Sequence, residues 1–122
     1  MSEKHILIVD DDKDIQSSIK MILELHGYVV STVSNGKEAI EALIRGPMPS
    51  VILLDLMMPV MDGFEFLKTV EKTNLAKGIS IIVMTAARNK ANEVKKYTTL
   101  LKPFDVTKLL SLIGDTYQKS NP

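Results

Sequence analysis

Residues 51–67 read VILLDLMMPVMDGFEFL, and the first five of them decide the architecture. Val51, Ile52, Leu53 and Leu54 form an unbroken apolar run that ends in Asp55. A strand with no polar position is covered on both faces, as the central strands of a parallel sheet are. Downstream, Pro59 interrupts a loop, after which Phe64, Leu67 and Val70 fall on one face of a helix. Asp62 stands next to that helix and suits its N-cap. Asp55 is separated from it by a loop and a proline, so capping does not explain Asp55.

The same unit repeats on either side. Apolar runs at 5–9, 28–33, 79–84 and, more weakly, 98–101 alternate with segments of helical period. Ile15, Ile19, Ile22 and Leu23 share a face of the first helix, which Gly27 can end as its C′ residue. Ala39, Ile40, Leu43 and Ile44 mark the second. Val106, Leu109, Leu110, Ile113 and Tyr117 line the last, with Asp105 as its N-cap. Between 88 and 97 the pattern is faintest, since only Ala91, Val94 and Tyr97 share a face.

Five such alternations predict one α/β domain over residues 1–122, a doubly wound parallel sheet with helices on both faces. The runs at 6–9, 51–54 and 79–84 are apolar nearly throughout and belong inside. The run at 28–33 carries Ser31 and Thr32, and that at 98–101 begins with two threonines, so these suit the edges. The strand order is then 2-1-3-4-5, with ligands expected beyond the carboxyl ends of strands one and three.

Composition narrows the function classes. Fifteen Lys and Arg balance fifteen Asp and Glu, leaving no excess positive charge for a nucleic-acid or anionic membrane partner. There is no cysteine, which removes disulfides, thiolate metal sites and thiol nucleophiles. The N-terminus has no signal-peptide core and no run approaches a membrane span, so a cytoplasmic location is expected. Neither G-x-x-x-x-G-K-[ST] nor G-x-G-x-x-G occurs, and Asn35-Gly36 reads only as a turn.

The residues that end the strands form a chemical set. Strand one runs into Asp10-Asp11-Asp12, strand three into Asp55, strand four into Thr85, and strand five into Lys102-Pro103. Any one of them alone has a plain structural use: Asp12 suits an N-cap, Thr85 a turn, Lys102 a solvated surface. Together they bring carboxylates, a hydroxyl and an ammonium to one end of the sheet. Clustered carboxylates repel unless a cation joins them, and hard oxygen donors suit Mg²⁺. An aspartate can also attack phosphorus, and phosphoryl transfer asks mainly for alignment and neutralised charge.

ILIVDDD (6–12), VILLDLMMPVMDGFEFL (51–67), IIVMTA (81–86) and LLKPF (100–104) resemble the signature segments of response-regulator receiver domains, in family order. The resemblance implies a flavodoxin-like fold and a Mg²⁺-dependent signalling switch that assists its own aspartyl phosphorylation and dephosphorylation. Asp55 would be the phosphoryl acceptor and a metal ligand. Asp11 would bind the metal directly, Asp10 largely through water, and Met57 through its backbone carbonyl. Thr85 would supply the hydroxyl that follows the phosphoryl group and Lys102 the cation that bonds it, with Lys102-Pro103 in the cis form. The implied partners are a sensor histidine kinase or histidine phosphotransfer protein, and a downstream effector acting in trans or as an output domain that 1–122 lacks. Direct nucleic-acid and membrane binding are not expected.

The chain departs from the family pattern in one stretch. Thr85 and Lys102 stand seventeen positions apart, several fewer than usual, which predicts a shortened fourth helix. The Gly-Ala pair before the fifth strand is absent, and Thr99 replaces the aromatic expected three positions before the lysine. Met57 and Ala87 occupy the two positions that overhang the acceptor. A receiver-like interaction module that no longer uses phosphorylation therefore stays open as an alternative. A haloacid-dehalogenase-like phosphatase would need a second acid where Met57 stands.

Overall fold

The computed structural model describes residues 4–120, the last three by backbone alone. Strands β1 (His5–Val9), β2 (Val29–Val33), β3 (Val51–Asp55), β4 (Ser80–Thr85) and β5 (Thr98–Leu101) form one sheet in the order β2-β1-β3-β4-β5. Every neighbouring pair is parallel. Helices α1 (Lys13–Leu25), α2 (Gly36–Arg45), α3 (Gly63–Thr73), α4 (Arg88–Ala91) and α5 (Val106–Ser120) connect and follow the strands. This is the flavodoxin-like doubly wound topology expected from the sequence. No described helix is long and apolar enough to cross a membrane.

Side-chain alternation along each strand divides the interior into two cores. Ile6 and Ile8 of β1 face Ile19 and Leu23 of α1 and Leu109 and Ile113 of α5. Leu7 and Val9 face the other way, toward Ala39 and Leu43 of α2 and Phe66, Leu67 and Val70 of α3. With both faces covered, β3 and the part of β1 after His5 have no polar side chain until their carboxyl ends, where Asp10 and Asp55 stand.

Helix starts follow local chemistry. Asp12 accepts the Asp14 and Ile15 N–H groups at the start of α1. Asp62 and Glu65 form a reciprocal capping box on α3. Asp105 accepts the Thr107 N–H at the start of α5. Gly27 lies just past α1 with φ +88°, the left-handed region open to glycine.

Several sequence expectations need correction. Asn35 is more than part of a turn: it caps α2, accepting the Glu38 N–H. Phe66, absent from the expected α3 face, is fully buried, whereas Phe64 is only partly covered. The apolar face of α2 is narrower than its pattern: Ile40 at its margin is partly buried and Ile44, one turn on, is 71% exposed. Val106, in the first turn of α5, is also exposed. The shortened fourth helix, by contrast, is as expected: a single four-residue turn followed by a 3₁₀ turn at Asn92–Val94. No residue of α4 itself is buried; Val94 of the 3₁₀ turn is, and Ala91 and Tyr97 are half-buried.

Candidate functional site

Four strand ends meet at the carboxyl edge of the sheet. Asp10 follows β1 and is fully buried; Asp55 is the last residue of β3, 7% exposed; Thr85 ends β4 and is fully buried. Lys102 follows β5 directly. Because β1, β3, β4 and β5 are successive neighbours, their final residues stand side by side. Asp11 adjoins Asp10 on the solvent side, and one carboxylate oxygen from each of Asp10, Asp11 and Asp55 lies within 4.8 Å of the other two.

Lys102 reaches into this acidic cluster. Its Nζ lies 2.8 Å from Asp10 Oδ2 and 3.7 Å from Asp55 Oδ1. The other Asp10 oxygen accepts the Asp12 N–H at 3.0 Å, so both oxygens of this buried carboxylate are occupied. One ammonium among three carboxylates leaves net negative charge in a confined space. Burial pushes the Asp55 carboxyl up to about 6, aided by the charge of Asp10 and, less, of Asp11. The Lys102 ammonium and the Met57 backbone N–H pull in the opposite direction without overcoming it.

Thr85 is both a turn former and a site residue. Its Oγ1 accepts the Ala87 N–H at 3.1 Å, and its carbonyl accepts the Lys102 N–H at 2.8 Å, tying the ends of β4 and β5 together. Met57 lies in the loop after β3 with its side chain 56% exposed. The Lys102-Pro103 bond is cis. All the expected site residues are thus gathered at one edge.

Two supporting residues escaped the sequence reading. Gly63 donates its N–H to Leu56 O at 2.9 Å, and a Cβ there would fall 2.6 Å from Asp55 O. Only glycine lets α3 start this close to the end of β3, and the Asp62-Gly63 pair was the available signal. Gln16 is a buried polar residue on an otherwise apolar helix face, which is the signal that could have found it. The Thr99 region carries no inward ring; Tyr97 instead donates its hydroxyl hydrogen bond to Glu71 on α3.

The family profile described as the response regulator receiver domain matches residues 6–114. The chain belongs to the response-regulator receiver family. Among curated relatives, response regulator MprA of Mycolicibacterium vanbaalenii is 31% identical over 122 residues, covering 96% of this chain and 52% of MprA. A 14.6 kDa protein of Leptolyngbya boryana is 32% identical over 93% of this chain and 89% of its own length. The receiver thus spans about half the length of MprA. Among solved structures, the receiver domain of Francisella response regulator 1452 superposes with a TM-score of 0.85, at 31% identity over 98% of this chain and all of that one. TrrA of Thermotoga maritima, solved in complex with Mg²⁺ and BeF, gives 0.82 at 28% identity, covering 93% of this chain and 98% of that one. This receiver is therefore a signalling switch of two-component systems, and such domains interact with kinases or phosphotransfer proteins. Its Asp10, Asp11 and Asp55 form a group able to hold a metal ion.

Proposed function

We propose that this receiver accepts a phosphoryl group on Asp55 from a phosphohistidine of a sensor kinase or phosphotransfer protein in the cytoplasm. The observation that carries the reading is the cluster itself: a nearly buried aspartate at a strand end, two further carboxylates within 4.8 Å, and an ammonium 3.7 Å away. Three hard oxygen donors fit Mg²⁺, and the Mg²⁺–BeF complex of TrrA supports that choice of ion. Asp10, Asp11, Asp55 and the Met57 carbonyl would hold it. Bound there, Mg²⁺ would offset the carboxylate repulsion and the charge on the phosphoryl oxygens.

In the transfer, an Asp55 carboxylate oxygen forms a bond to phosphorus as the phosphorus–nitrogen bond of the donor breaks. The imidazole leaves with the bonding pair and takes a proton. Lys102, already beside Asp55, is placed to pair with a phosphoryl oxygen. Thr85 would donate its hydroxyl to another, and a shift of its oxygen toward the phosphoryl group would strain the bond it now accepts from the Ala87 N–H. That shift would carry the signal into the segment after β4, toward an effector in trans or a further domain.

The test is incubation with Mg²⁺ and acetyl phosphate. One phosphoryl mass should appear on Asp55 and be absent in Asp55→Asn; a modification that survives the substitution overturns the assignment. The very short α4 favours the second reading, a receiver-like interaction module without phosphorylation, which requires that no phosphoryl mass appear.

A further inference from the structure

We propose that Gln16 is a positioning residue for the acidic pair, and that its carboxamide sets the geometry in which Asp11 meets a divalent cation. Gln16 lies in the first turns of α1, 5% exposed, on the face that otherwise carries Ile15, Ile19 and Leu23. A buried carboxamide must find hydrogen-bond partners, and this one does not find them in its own helix. Its Nε2 donates to the backbone carbonyl of Asp10 and, at 3.0 Å, to that of Val33. Val33 is the last residue of β2, and its carbonyl also accepts the Asp10 N–H at 3.1 Å. The side chain therefore clasps the carboxyl ends of two strands at the point where β1 turns into the acidic pair.

The consequence falls on Asp11. The peptide group is planar, so holding the Asp10 carbonyl also fixes the direction of the Asp11 N–H and the position of its Cα. Asp10 has other anchors: its two carboxylate oxygens are held by the Asp12 N–H and by Lys102. The Asp11 carboxylate accepts no hydrogen bond among the described residues. Its place within 4.8 Å of Asp10 and Asp55 depends on the backbone that carries it. Gln16 fastens that backbone from the side away from solvent. A purely structural role, anchoring α1 to the sheet, would need only an apolar side chain of the same size, as at Ile19 and Leu23.

This inference rests on the metal-binding reading above. Gln16→Met keeps size and helix propensity but removes both donors. It should raise the Mg²⁺ dissociation constant about tenfold, the usual scale for loss of an outer-sphere partner. At saturating Mg²⁺, acetyl phosphate labelling of Asp55 should stay within about threefold of wild type. In the metal-free protein the Asp11 amide should exchange faster. Ile19→Val, a mild core loss on the same helix, should lower stability without moving the Mg²⁺ constant. If Gln16→Met does not fold, Gln16→Asn gives the same reading, because its amide is too short to span both carbonyls. A stable Gln16 variant with an unchanged Mg²⁺ constant overturns the inference while leaving the proposed function intact. A wild-type protein that binds no Mg²⁺ overturns both.

Discussion

At the scale of single residues, the site is under electrostatic tension that pH can relieve. The Asp55 carboxyl sits at about 6, above the ordinary aspartate value of about 3.9. The folded state thus holds that proton more tightly than the unfolded chain. Between about pH 6 and 4 the folded form binds more protons, so stability rises as pH falls through this window. In chelator, the melting temperature should increase from pH 7 to pH 5, and Asp55→Asn should flatten that slope. A profile identical in the two proteins would remove Asp55 as the cause. Met57 and Ala87 carry a different expectation. Neither side chain can orient a water by hydrogen bonding, and by the family pattern Met57 would obstruct a water's approach to a phosphorylated Asp55 with a flexible apolar chain. The phosphorylated form should be long-lived, and Met57→Asn or Ala87→Glu should alter its decay by mass spectrometry. Loss as fast as in receivers with polar side chains at both positions counts against it. The gathering of Asp10, Asp11, Asp55, Thr85 and Lys102 was legible in the sequence because each ends a strand or lies one or two positions past one. Gln16 and Gly63 were harder to read, because a polar residue on an apolar helix face and an Asp-Gly pair do not say which backbone they approach.

At the scale of elements, close approach of backbone decides which glycines matter. A Cβ on Gly63 would stand 2.6 Å from Asp55 O and 2.7 Å from Leu56 Cα, so α3 or the end of β3 must move. Gly63→Ala should cost about 1–3 kcal/mol in denaturant unfolding, the range for overpacking. Gly114 in α5 has nothing within 4 Å of its would-be Cβ. Gly114→Ala should instead add about 0.5–1 kcal/mol through helix propensity. Equal and opposite signs from those expected would refute the packing account. The strands were legible because they are apolar on both faces. The helix faces were less so. Phe64 and Phe66 both suit a helix, and which one turns inward depends on how α3 seats against β3 and β4. The fourth helix read faintly because it is a single turn, held by Val94 and by the Tyr97–Glu71 contact more than by a continuous apolar stripe.

At the scale of the whole molecule, strand order puts the ligands of the proposed ion on the two most covered strands. Neutralising Asp10, Asp11 and Asp55 should stabilise the entire fold by mass action, about 2.7 kcal/mol at a concentration a hundred times the dissociation constant. Millimolar Mg²⁺ should therefore raise the melting temperature by several degrees, and Asp11→Ala should largely remove the effect. An unchanged melting curve across the titration would favour the interaction module. The order 2-1-3-4-5 was itself readable, since Ser31, Thr32, Thr98 and Thr99 marked the two strands with only one neighbour. Lys102 and the carboxylates do not share that depth. Asp10 and Asp55 belong to strands paired on both sides, while Lys102 follows a four-residue strand paired on one side only. Edges open locally at lower free energy than centres. Fraying of β5 would withdraw the ammonium while the carboxylates stay assembled, so the hold on a phosphoryl group and the hold on a cation can fail on different timescales.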